Sequence, residues 1–369
     1  MQQSYDVIIV GAGPAGAVLA ARLGKRYSVL LVESRHIQSG NDEKCCGGLL
    51  APDAQFLLEK MDLTLPDFVQ DSGQPVAVRA VDLESGYARL YPRRYVNLNR
   101  LRFERWLLSL LPESVVLREG WRCRSVEPGA TAGWRVTLAS RRGCDVEVVD
   151  CSMLVGADGV ESTVRRTLGA PLRRECRYVA VQHEYDCLGG WRGPPLFGLC
   201  EYTAFFDPGI TDFYGWVIPK QEKVLLGAAF PPRNKAGKTY ADLLLSARRR
   251  LEELGYGFPA VGKRRCCRVL RPSPGDVFLG KGGAWCVGEA AGWISPSSAE
   301  GFSYAFASAL ALSEAMLDGG GVKRITGKYR TKTLALLAAI AIKRLKSRIM
   351  FTPFLRRAVM KSGLLAEKE

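Results

Sequence analysis

The sequence has few of the residues on which metal centres and exported proteins depend. It contains only two histidines, His36 and His183, and its eleven cysteines include no pair at CxxC spacing. Because zinc sites draw on closely spaced Cys and His ligands, we expect no metal centre. The odd cysteine count and the two adjacent cysteine pairs are unlike a disulfide framework, so they favour a reducing, cytoplasmic compartment.

Long hydrophobic runs are also missing. The longest nearly uncharged apolar stretch near the C-terminus, Leu334 to Ile342, is far shorter than the roughly 20 residues that a membrane-spanning helix needs. Near the N-terminus the acidic Asp6 precedes the first apolar run and glycines follow it, unlike the basic start and small-residue cleavage site of a signal peptide. We therefore expect neither a transmembrane nor an exported protein.

Acidic residues are missing from the C-terminal segment. Between Gly319 and Ala366 the chain has twelve Lys or Arg residues and no Asp or Glu, within a protein of formal net charge +15. From Ala335 to Met360 these charges mix with aliphatic residues, a pattern typical of a helix on an anionic membrane surface; a solvated helical cap is the alternative. No zinc-finger, RNA-binding or helix-turn-helix pattern accompanies them, so we expect no nucleic acid partner.

Apolar residues are abundant enough for a large core. The chain has 369 residues, 47% of them hydrophobic and 24% charged, which suits two domains. A βαβ unit is predicted over residues 6–33, with strands Val7–Val10 and Ser28–Val32 on either side of a glycine turn and a helix. Similar strand–turn–helix patterns recur at Ser152–Arg166 and Ala284–Leu317.

The regions between these patterns predict a second sheet. Aromatic, β-branched, Gly and Pro residues with closely spaced turn signals favour antiparallel strands there. We therefore predict an α/β protein with a discontinuous Rossmann-like dinucleotide-binding domain, an antiparallel β-sheet substrate domain and C-terminal helices. The predicted ranges are 1–75, 100–176 and 275–318 for the first domain, about 76–99 and 177–274 for the second, and 319–369 for the basic helical segment.

A glycine-rich turn after the first predicted strand is the first chemical motif. Gly11-Ala12-Gly13-Pro14-Ala15-Gly16 opens a helix, and Glu33 ends the next strand about 20 residues on, as the dinucleotide fingerprint requires. Gly11 permits the tight turn, Gly13 lets the backbone approach a pyrophosphate, and Gly16 allows close packing. The Glu33 carboxylate can accept a hydrogen bond from a ribose hydroxyl. The motif by itself does not separate NAD from FAD.

A second motif predicts the start of a long helix. Ser297 and Glu300 stand at capping-box spacing before a long apolar run. The partial positive charge at such a helix end would favour a nearby anion.

Two further motifs appear in order along the chain. They are Gly156-Ala157-Asp158-Gly159 with Ser162 and Arg165, and Gly288-Glu289-Ala290-Ala291-Gly292 with Pro296, Glu300 and Gly301. Together with the first fingerprint, this set resembles the FAD-dependent oxidoreductases of the para-hydroxybenzoate hydroxylase fold. More narrowly, nearly the whole chain resembles the geranylgeranyl reductase family and its CbrA-type branch.

The resemblance implies FAD as the cofactor. It gives Glu289 the ribityl contact, although most relatives have Asp there, and it lets Arg100 reach the FAD phosphates or ribose; a surface arginine is the alternative. Asp158 and Arg165 would hold the loop near FAD, with a structural ion pair as the alternative. The implied cofactor-binding residues are Gly11, Gly13, Pro14, Ala15, Gly16, Glu33, Ser34, Cys46, Gly47, Gly48, Arg100, Asp158, Gly159, Gly288, Glu289, Pro296, Gly301 and Phe302.

Two segments are candidates for the reaction itself. Lys44-Cys45-Cys46-Gly47-Gly48 resembles the family's Cys-Gly-Gly segment over the flavin, where the Cys46 thiol could donate a proton or orient substrate; a small core residue is the alternative. In Tyr214-Gly215-Trp216-Val217-Ile218-Pro219, alternation puts Tyr214 and Trp216 on one side of a strand, so we predict that both face one pocket, unless they only pack the core. The family uses Tyr-x-Trp to line a prenyl channel.

The resemblance leaves three functional hypotheses. The first is reduction of isoprenoid carbon–carbon double bonds by hydride transfer from reduced flavin N5, with electrons from a donor such as NADPH or ferredoxin. The second is an FAD-dependent monooxygenase or halogenase, because the Tyr214 segment also resembles the halogenase Trp-x-Trp-x-Ile-Pro signature; Lys220 or Lys44 would then supply the halogenase lysine. The third is a non-catalytic flavoprotein that binds a prenyl carrier at the membrane.

Overall fold

The computed structural model describes residues 4–363 except 72, 76, 130–132, 142, 144, 188–190, 192, 194–200 and 234–236. The helices are α1 Pro14–Leu23, α2 Pro52–Glu59, α3 Arg100–Ser109, α4 Thr163–Thr167, α5 Tyr240–Glu253, α6 Gly288–Ala291, α7 Phe302–Leu317, α8 Val322–Lys332, α9 Leu334–Phe351 and α10 Pro353–Ser362. The strands are β1 Ser4–Val10, β2 Val29–Glu33, β3 Leu49–Leu50, β4 Ala77–Asp82, β5 Tyr87–Pro92, β6 Val96–Asn97, β7 Val115–Glu119, β8 Trp121–Pro128, β9 Trp134–Ser140, β10 Val146–Gly156, β11 Arg177–Asp186, β12 Glu201–Phe206, β13 Gly215–Pro219, β14 Lys223–Phe230, β15 Lys263–Leu270, β16 Gly280–Lys281 and β17 Ala284–Cys286.

The first sheet has a parallel centre. Its order is β16-β17-β10-β1-β2-β7, and β9 joins β10 in antiparallel fashion with β8 beyond it. Strands β1, β2, β10 and β17 run parallel. Residues Val7–Val10 are buried without alternation, because the helices α1 and α7 cover one face and β8 and β9 lie against the other. The carboxyl ends of the parallel strands therefore meet at one edge.

The second sheet is mostly antiparallel. Its seven strands follow the order β15-β11-β14-β13-β12-β4-β5, and one pair, β4 with β12, is parallel. Helix α5 packs Leu243, Leu244, Ala247 and Leu251 against one face. The opposite face looks toward the first sheet across a cavity.

The α/β fold class predicted from the sequence is confirmed, whereas the domain boundaries stay a prediction. One element was missed: the region 177–274 was predicted as antiparallel sheet, yet it contains the helix α5. Its signal is local, because Thr239 and Asp242 form a capping box and the buried residues repeat at helical spacing.

The basic segment forms helices, as predicted. Helix α8 packs beside α7, and Phe351 at the end of α9 contacts Phe206 and Phe213 of the second sheet. Arg356 of α10 donates to the buried Asp82 at 2.6 Å. Within the described part of the chain, no helix is long and apolar enough to cross a membrane.

Candidate active site

A cavity of about 630 Å³ lies between the two sheets. The carboxyl ends of β1, β2 and β10 border it, which is where ligands bind in open parallel sheets. The reaction candidates Cys46, Tyr214 and Trp216 line it, as do all the implied cofactor-binding residues except Gly16 and Pro296. The fold thus brings together motifs that are far apart in sequence.

The glycine turn has the shape of a pyrophosphate cradle. Gly11 adopts a φ of +103°, and an added Cβ there would lie 2.4 Å from the Ala157 carbonyl oxygen. A Cβ on Gly16 would lie 1.9 Å from the Gly11 carbonyl oxygen, so Gly16 serves close packing. At Gly13 no described atom lies within 4 Å of the added Cβ, and no described side chain caps the start of α1. The turn therefore leaves space and free N–H groups for an anionic ligand such as the FAD pyrophosphate.

A chain of charged groups borders the end of β2. The Glu33 carboxylate accepts hydrogen bonds from the Ala12 N–H at 3.0 Å and the Arg35 N–H at 3.0 Å. Arg35 also donates to Glu104 at 2.8 Å, and Arg100 donates to the other Glu104 oxygen at 2.7 Å. Burial opposes ionisation of Glu104, but the charges of Arg100 and Arg35 outweigh it and lower the pKa of Glu104 to about 2.

Arg100 is buried rather than solvated. Its residue is 8% exposed, so the alternative of a surface arginine is wrong. Its guanidinium carbon lies 4.7 Å from the Phe302 ring centroid, and its Nε is buried without a hydrogen-bond partner among the described residues. A buried donor without a partner suits a bound ligand oxygen, as the resemblance predicted for FAD.

Asp158 and Arg165 do not form the structural ion pair that was the alternative interpretation of their motif. Asp158 instead accepts from the Ser162 hydroxyl at 2.5 Å and from the Thr163 N–H at 2.7 Å. Arg165 donates to the carbonyl oxygens of Ala170, Ala290 and Asp276. Each side chain is satisfied by backbone or hydroxyl groups, so each holds its loop separately.

The third motif places Glu289 at the cavity wall. One of its carboxylate oxygens accepts the Leu270 N–H at 2.9 Å, and the other lies 4.0 Å from the Lys44 Nζ. The glutamate thus keeps one carboxylate oxygen on the cavity side of the motif.

The predicted capping box at Ser297 and Glu300 is wrong. Helix α7 begins one turn later, at Phe302, and Glu300 accepts from the Ser303 N–H at 2.9 Å. Ser297 cannot cap it because its hydroxyl is 3.3 Å from that of Ser295, and Ala299 adopts a φ of +51° that interrupts the helix. The start of α7 nevertheless lies at the cavity, since Gly301 and Phe302 line it.

The cysteine segment passes along the cavity without helix or strand from residue 41 to 48. The Gly48 N–H donates to the Cys46 Sγ at 3.4 Å, and the Arg100 Nη1 lies 4.0 Å from that sulfur. A Cβ on Gly47 would lie 2.6 Å from the Ile218 Cδ1, and one on Gly48 would lie 2.5 Å from the Leu98 carbonyl oxygen. The two glycines therefore allow a passage that other residues would block.

The far end of the cavity is aromatic. Tyr214 and Trp216 line it together, with ring centroids 5.9 Å apart, as the alternation predicted. The Tyr214 hydroxyl donates to the Ser298 carbonyl oxygen at 2.6 Å, and the Trp216 Nε1 donates to Gln182 at 3.1 Å. Gly227, opposite Trp216 on β14, leaves room for the indole. The Tyr214 hydroxyl and the Trp216 Nε1 already have protein partners, so the two rings present apolar faces to the cavity.

Sequence reasoning missed several cavity residues. Tyr95 and Tyr202 add an edge-to-face pair 5.4 Å apart, and Arg35, Glu104 and Cys267 complete other parts of the wall. Glu104 was detectable in principle, because it follows Arg100 by four residues on one helix. The other contacts join distant segments that carry no shared local pattern.

Two titratable groups, His183 and the candidate Lys220, lie outside the cavity wall. The His183 Nδ1 is 3.2 Å from the Tyr185 hydroxyl on the same strand. Lys220 donates to the Asn97 side chain and, at 2.9 Å, to the Leu98 carbonyl oxygen, and lies 3.5 Å from Asp71. Among the described residues no group of His, Cys, Asp and Glu is arranged to hold a metal ion.

Comparisons with known proteins match this architecture. The lycopene cyclase protein family model matches residues 6–190. Protein CbrA of Escherichia coli O6:H1 is 36% identical over 365 residues, covering 98% of this chain and 94% of that protein. Protein CbrA of Shigella dysenteriae serotype 1 is equally identical and is covered to 98%.

Solved structures share the fold at low sequence identity. A geranylgeranyl bacteriochlorophyll reductase-like protein from Thermoplasma acidophilum superposes with a TM-score of 0.80 at 16% identity, over 96% of this chain and 90% of its own. The flavin-dependent brominase Bmp2 gives 0.69 at 18% identity, over 97% and 93%. PqsL of Pseudomonas aeruginosa, a probable FAD-dependent monooxygenase, gives 0.69 at 18% identity, over 98% and 99%.

Proposed function

This chain belongs to the family of FAD-dependent oxidoreductases that includes the CbrA proteins, and from that premise we propose that it reduces carbon–carbon double bonds of an isoprenoid, geranylgeranyl-type substrate. The resemblance predicted from its motifs is confirmed, and FAD is its cofactor. A donor such as NADPH or ferredoxin would supply the electrons.

The aromatic end of the cavity carries the proposal. Tyr95, Tyr202, Tyr214 and Trp216 present ring faces, and Leu49, Ile218 and Ile294 add aliphatic surface. An isoprenoid is a chain of methyl-branched alkene units without hydrogen-bonding groups, so a wall whose polar atoms are already bonded suits it. Among the described residues of this wall, a polar substrate would find few unsatisfied groups.

Reduced FAD, when bound, supplies a hydride equivalent from N5. The residues of this chain do the rest: the start of α1 and Glu33 hold the dinucleotide half, and Glu289 accepts from the ribityl chain. Gly47 and Gly48 let the backbone pass close to the ring, and the start of α7 favours negative charge beside it. An isolated alkene is a poor hydride acceptor, so the aromatic wall must fix its position accurately.

Cys46 is our candidate for the proton that completes the reduction. Its sulfur lines the same cavity as Tyr214 and Trp216, and it lies near the Arg100 guanidinium. A thiol at that place can hold a proton next to the alkene carbon that does not receive the hydride. The Tyr214 hydroxyl, by contrast, is committed to the Ser298 carbonyl oxygen.

The oxygen-dependent alternatives have weaker support. A halogenase needs a lysine that faces the reaction chamber, but Lys220 is bonded to Asn97 and Leu98 and is absent from the cavity wall. Lys44 does line the cavity, yet it lies beside Glu289. These contacts favour the reductase over the halogenase. The monooxygenase and the non-catalytic protein that binds a prenyl carrier are distinguished by the experiment below.

The test is an anaerobic reoxidation experiment. The bound flavin is photoreduced, geranylgeranyl diphosphate or a geranylgeranyl lipid is added, and the visible spectrum and the product mass are followed together. Reoxidation with two hydrogens gained per reduced bond supports the reductase. Flavin that stays reduced until oxygen is admitted contradicts it for these substrates, and substrate oxygenation would then identify a monooxygenase. Binding of the lipid without any turnover would indicate the non-catalytic protein.

We also propose that the protein is cytoplasmic and contacts an anionic membrane peripherally. Ile342, Leu345 and Ile349 follow one face of α9 and are 68%, 62% and 40% exposed, and Phe354 of α10 is 78% exposed. The surrounding segment carries only basic charges from 319 to 366. Exposed aliphatic groups within a basic surface suit an anionic bilayer, from which an isoprenoid lipid would also come.

A further inference from the structure

We propose that Cys45 and Cys267 form an oxidisable thiol pair, a modification site that links segment 43–48 to strand β15 at the edge of the FAD cavity. This inference goes beyond the proposed reaction and does not depend on its substrate. Both residues line the cavity, and both are reduced in the structure.

The two cysteines meet because segment 43–45 follows β15 residue by residue. Glu43 pairs with Arg265 at 3.5 Å. Two positions later in each segment, the Cys267 thiol donates to the Cys45 carbonyl oxygen at 3.3 Å. Each thiol is also the largest influence on the pKa of the other, so the two side chains are close neighbours. Arg265 and Cys267 share one face of β15, whereas Cys266 points to the other and is exposed. The packing therefore selects Cys267, rather than its neighbour, as the partner of Cys45.

The environment divides the pair into a nucleophile and a proton-bearing partner. The hydrogen bond from Cys45 and the charge of Lys44 lower the pKa of Cys267, although burial opposes this effect. The same hydrogen bond, together with burial, raises the pKa of Cys45. The thiolate is the reactive form of cysteine. Once Cys267 gives up the proton that it donates to the Cys45 carbonyl oxygen, its surroundings favour it for the first attack, and Cys45 is then the resolving partner.

Hydrogen peroxide is the oxidant that we assign to this site. The Cys267 thiolate attacks one peroxide oxygen, the O–O bond breaks, and hydroxide leaves while the sulfur becomes a sulfenic acid. The Cys45 thiol then attacks that sulfur, the S–S bond forms, and the sulfenic oxygen leaves as water with the Cys45 proton. The two sulfurs lose two electrons and the peroxide gains them. The product ties segment 43–48, including Cys46, covalently to β15.

Mass spectrometry of the full-length holoprotein tests the proposal. The protein is reduced, freed of reductant, treated with equimolar hydrogen peroxide and then with N-ethylmaleimide. We expect loss of two maleimide-reactive thiols, loss of the mass of two hydrogen atoms, and full reversal by dithiothreitol. The tryptic peptides that start at Cys45 and at Cys266 should be linked.

Each of those peptides contains two cysteines, so variants must assign the bond. The Cys46→Ser/Cys266→Ser double variant should form the same link. Cys45→Ser should stop at a sulfenic acid on Cys267 that dimedone traps, and Cys267→Ser should give no link. A link that requires Cys46 or Cys266, a bond between adjacent cysteines, or unchanged thiol content would overturn the proposal. The peptide map of the wild-type protein can contradict the proposal by itself. The proposal therefore remains testable even if one of the variants fails to fold.

Discussion

Arg100 donates to the Glu104 carboxylate at 2.7 Å, and this buried pair sits where helix α3 meets the FAD cavity. Glu104 holds Arg35 on its other oxygen, so one carboxylate positions two cations at the border of the site. The guanidinium of Arg100 is packed on Phe302, which begins α7. The pair therefore connects Arg35, on the dinucleotide side of the cavity, with Phe302 at the start of α7 on the opposite side.

Replacing Arg100 should weaken FAD binding. Arg100→Ala removes the buried, partly unsatisfied cation, and a charged hydrogen bond contributes about 1.5–3 kcal/mol, so FAD affinity should fall roughly 10- to 100-fold. Fluorescence titration of the apoprotein with FAD measures the change. Arg102→Ala on the exposed side of the same helix should leave affinity unchanged. Equal affinities for Arg100→Ala and wild type would remove Arg100 from the FAD site.

Alanine substitutions at two glycines of the dinucleotide turn should affect different properties, FAD binding at Gly13 and stability at Gly16. At Gly13 an added methyl meets open space, so Gly13→Ala should fold normally but cost about 1–3 kcal/mol of FAD binding through crowding of the pyrophosphate. At Gly16 the methyl meets the Gly11 carbonyl oxygen, so Gly16→Ala should lower the free energy of unfolding by at least a similar amount. Urea unfolding and FAD titration of both variants check this; the opposite pattern would contradict the assigned roles.

Local motifs predicted most of this turn, whereas contacts between segments far apart in the sequence could not be predicted. The Gly11–Gly16 spacing specifies the turn because all its constraints lie within a few residues. Cys45 and Cys267 are separated by 222 positions, and nothing in either segment indicates the other. The start of α7 was misplaced for a related reason: Ser297 has the right spacing to Glu300, but Ser295 and the backbone at Ala299 decide where the helix begins.

The Glu104 pair should make stability fall in acid. Its folded pKa of about 2 lies below the ordinary value of 4.5, so its contribution is complete above about pH 4.5 and is lost as the pH falls toward 2. The difference corresponds to about 3 kcal/mol. Urea unfolding at pH 7 and pH 3 should show a smaller pH-dependent loss for Glu104→Gln than for wild type. The exposed Glu113→Gln serves as the control, and identical losses for all three proteins would contradict the assignment.

The exposed face of α9 should control membrane binding. Wild type should sediment with phosphatidylglycerol-containing vesicles, and binding should weaken at high salt because the basic charges are screened. Burial of each large aliphatic side chain contributes about 1.5–3 kcal/mol, so Ile342→Ser/Leu345→Ser should lower the partition coefficient by about 100-fold or more. The control is Val261→Ser, an even more exposed apolar position outside the basic segment. Unchanged sedimentation of the α9 variant would contradict a membrane role for this face.

Cys46 should affect the proton step without affecting FAD binding. If its thiol supplies the proton, Cys46→Ala should slow anaerobic flavin reoxidation by the isoprenoid by about 10²–10⁴-fold, the usual contribution of a general acid. FAD affinity should stay unchanged, because among the described residues the Cys46 sulfur accepts a hydrogen bond only from the Gly48 N–H and lies 4.0 Å from Arg100. Cys46→Ser keeps a proton donor of similar size and should recover part of the rate, while the exposed Cys266→Ser should behave like wild type. A normal reoxidation rate in Cys46→Ala would exclude the thiol as the proton source and would direct attention to hydroxyl groups of the aromatic wall, first those of Tyr95 and Tyr202.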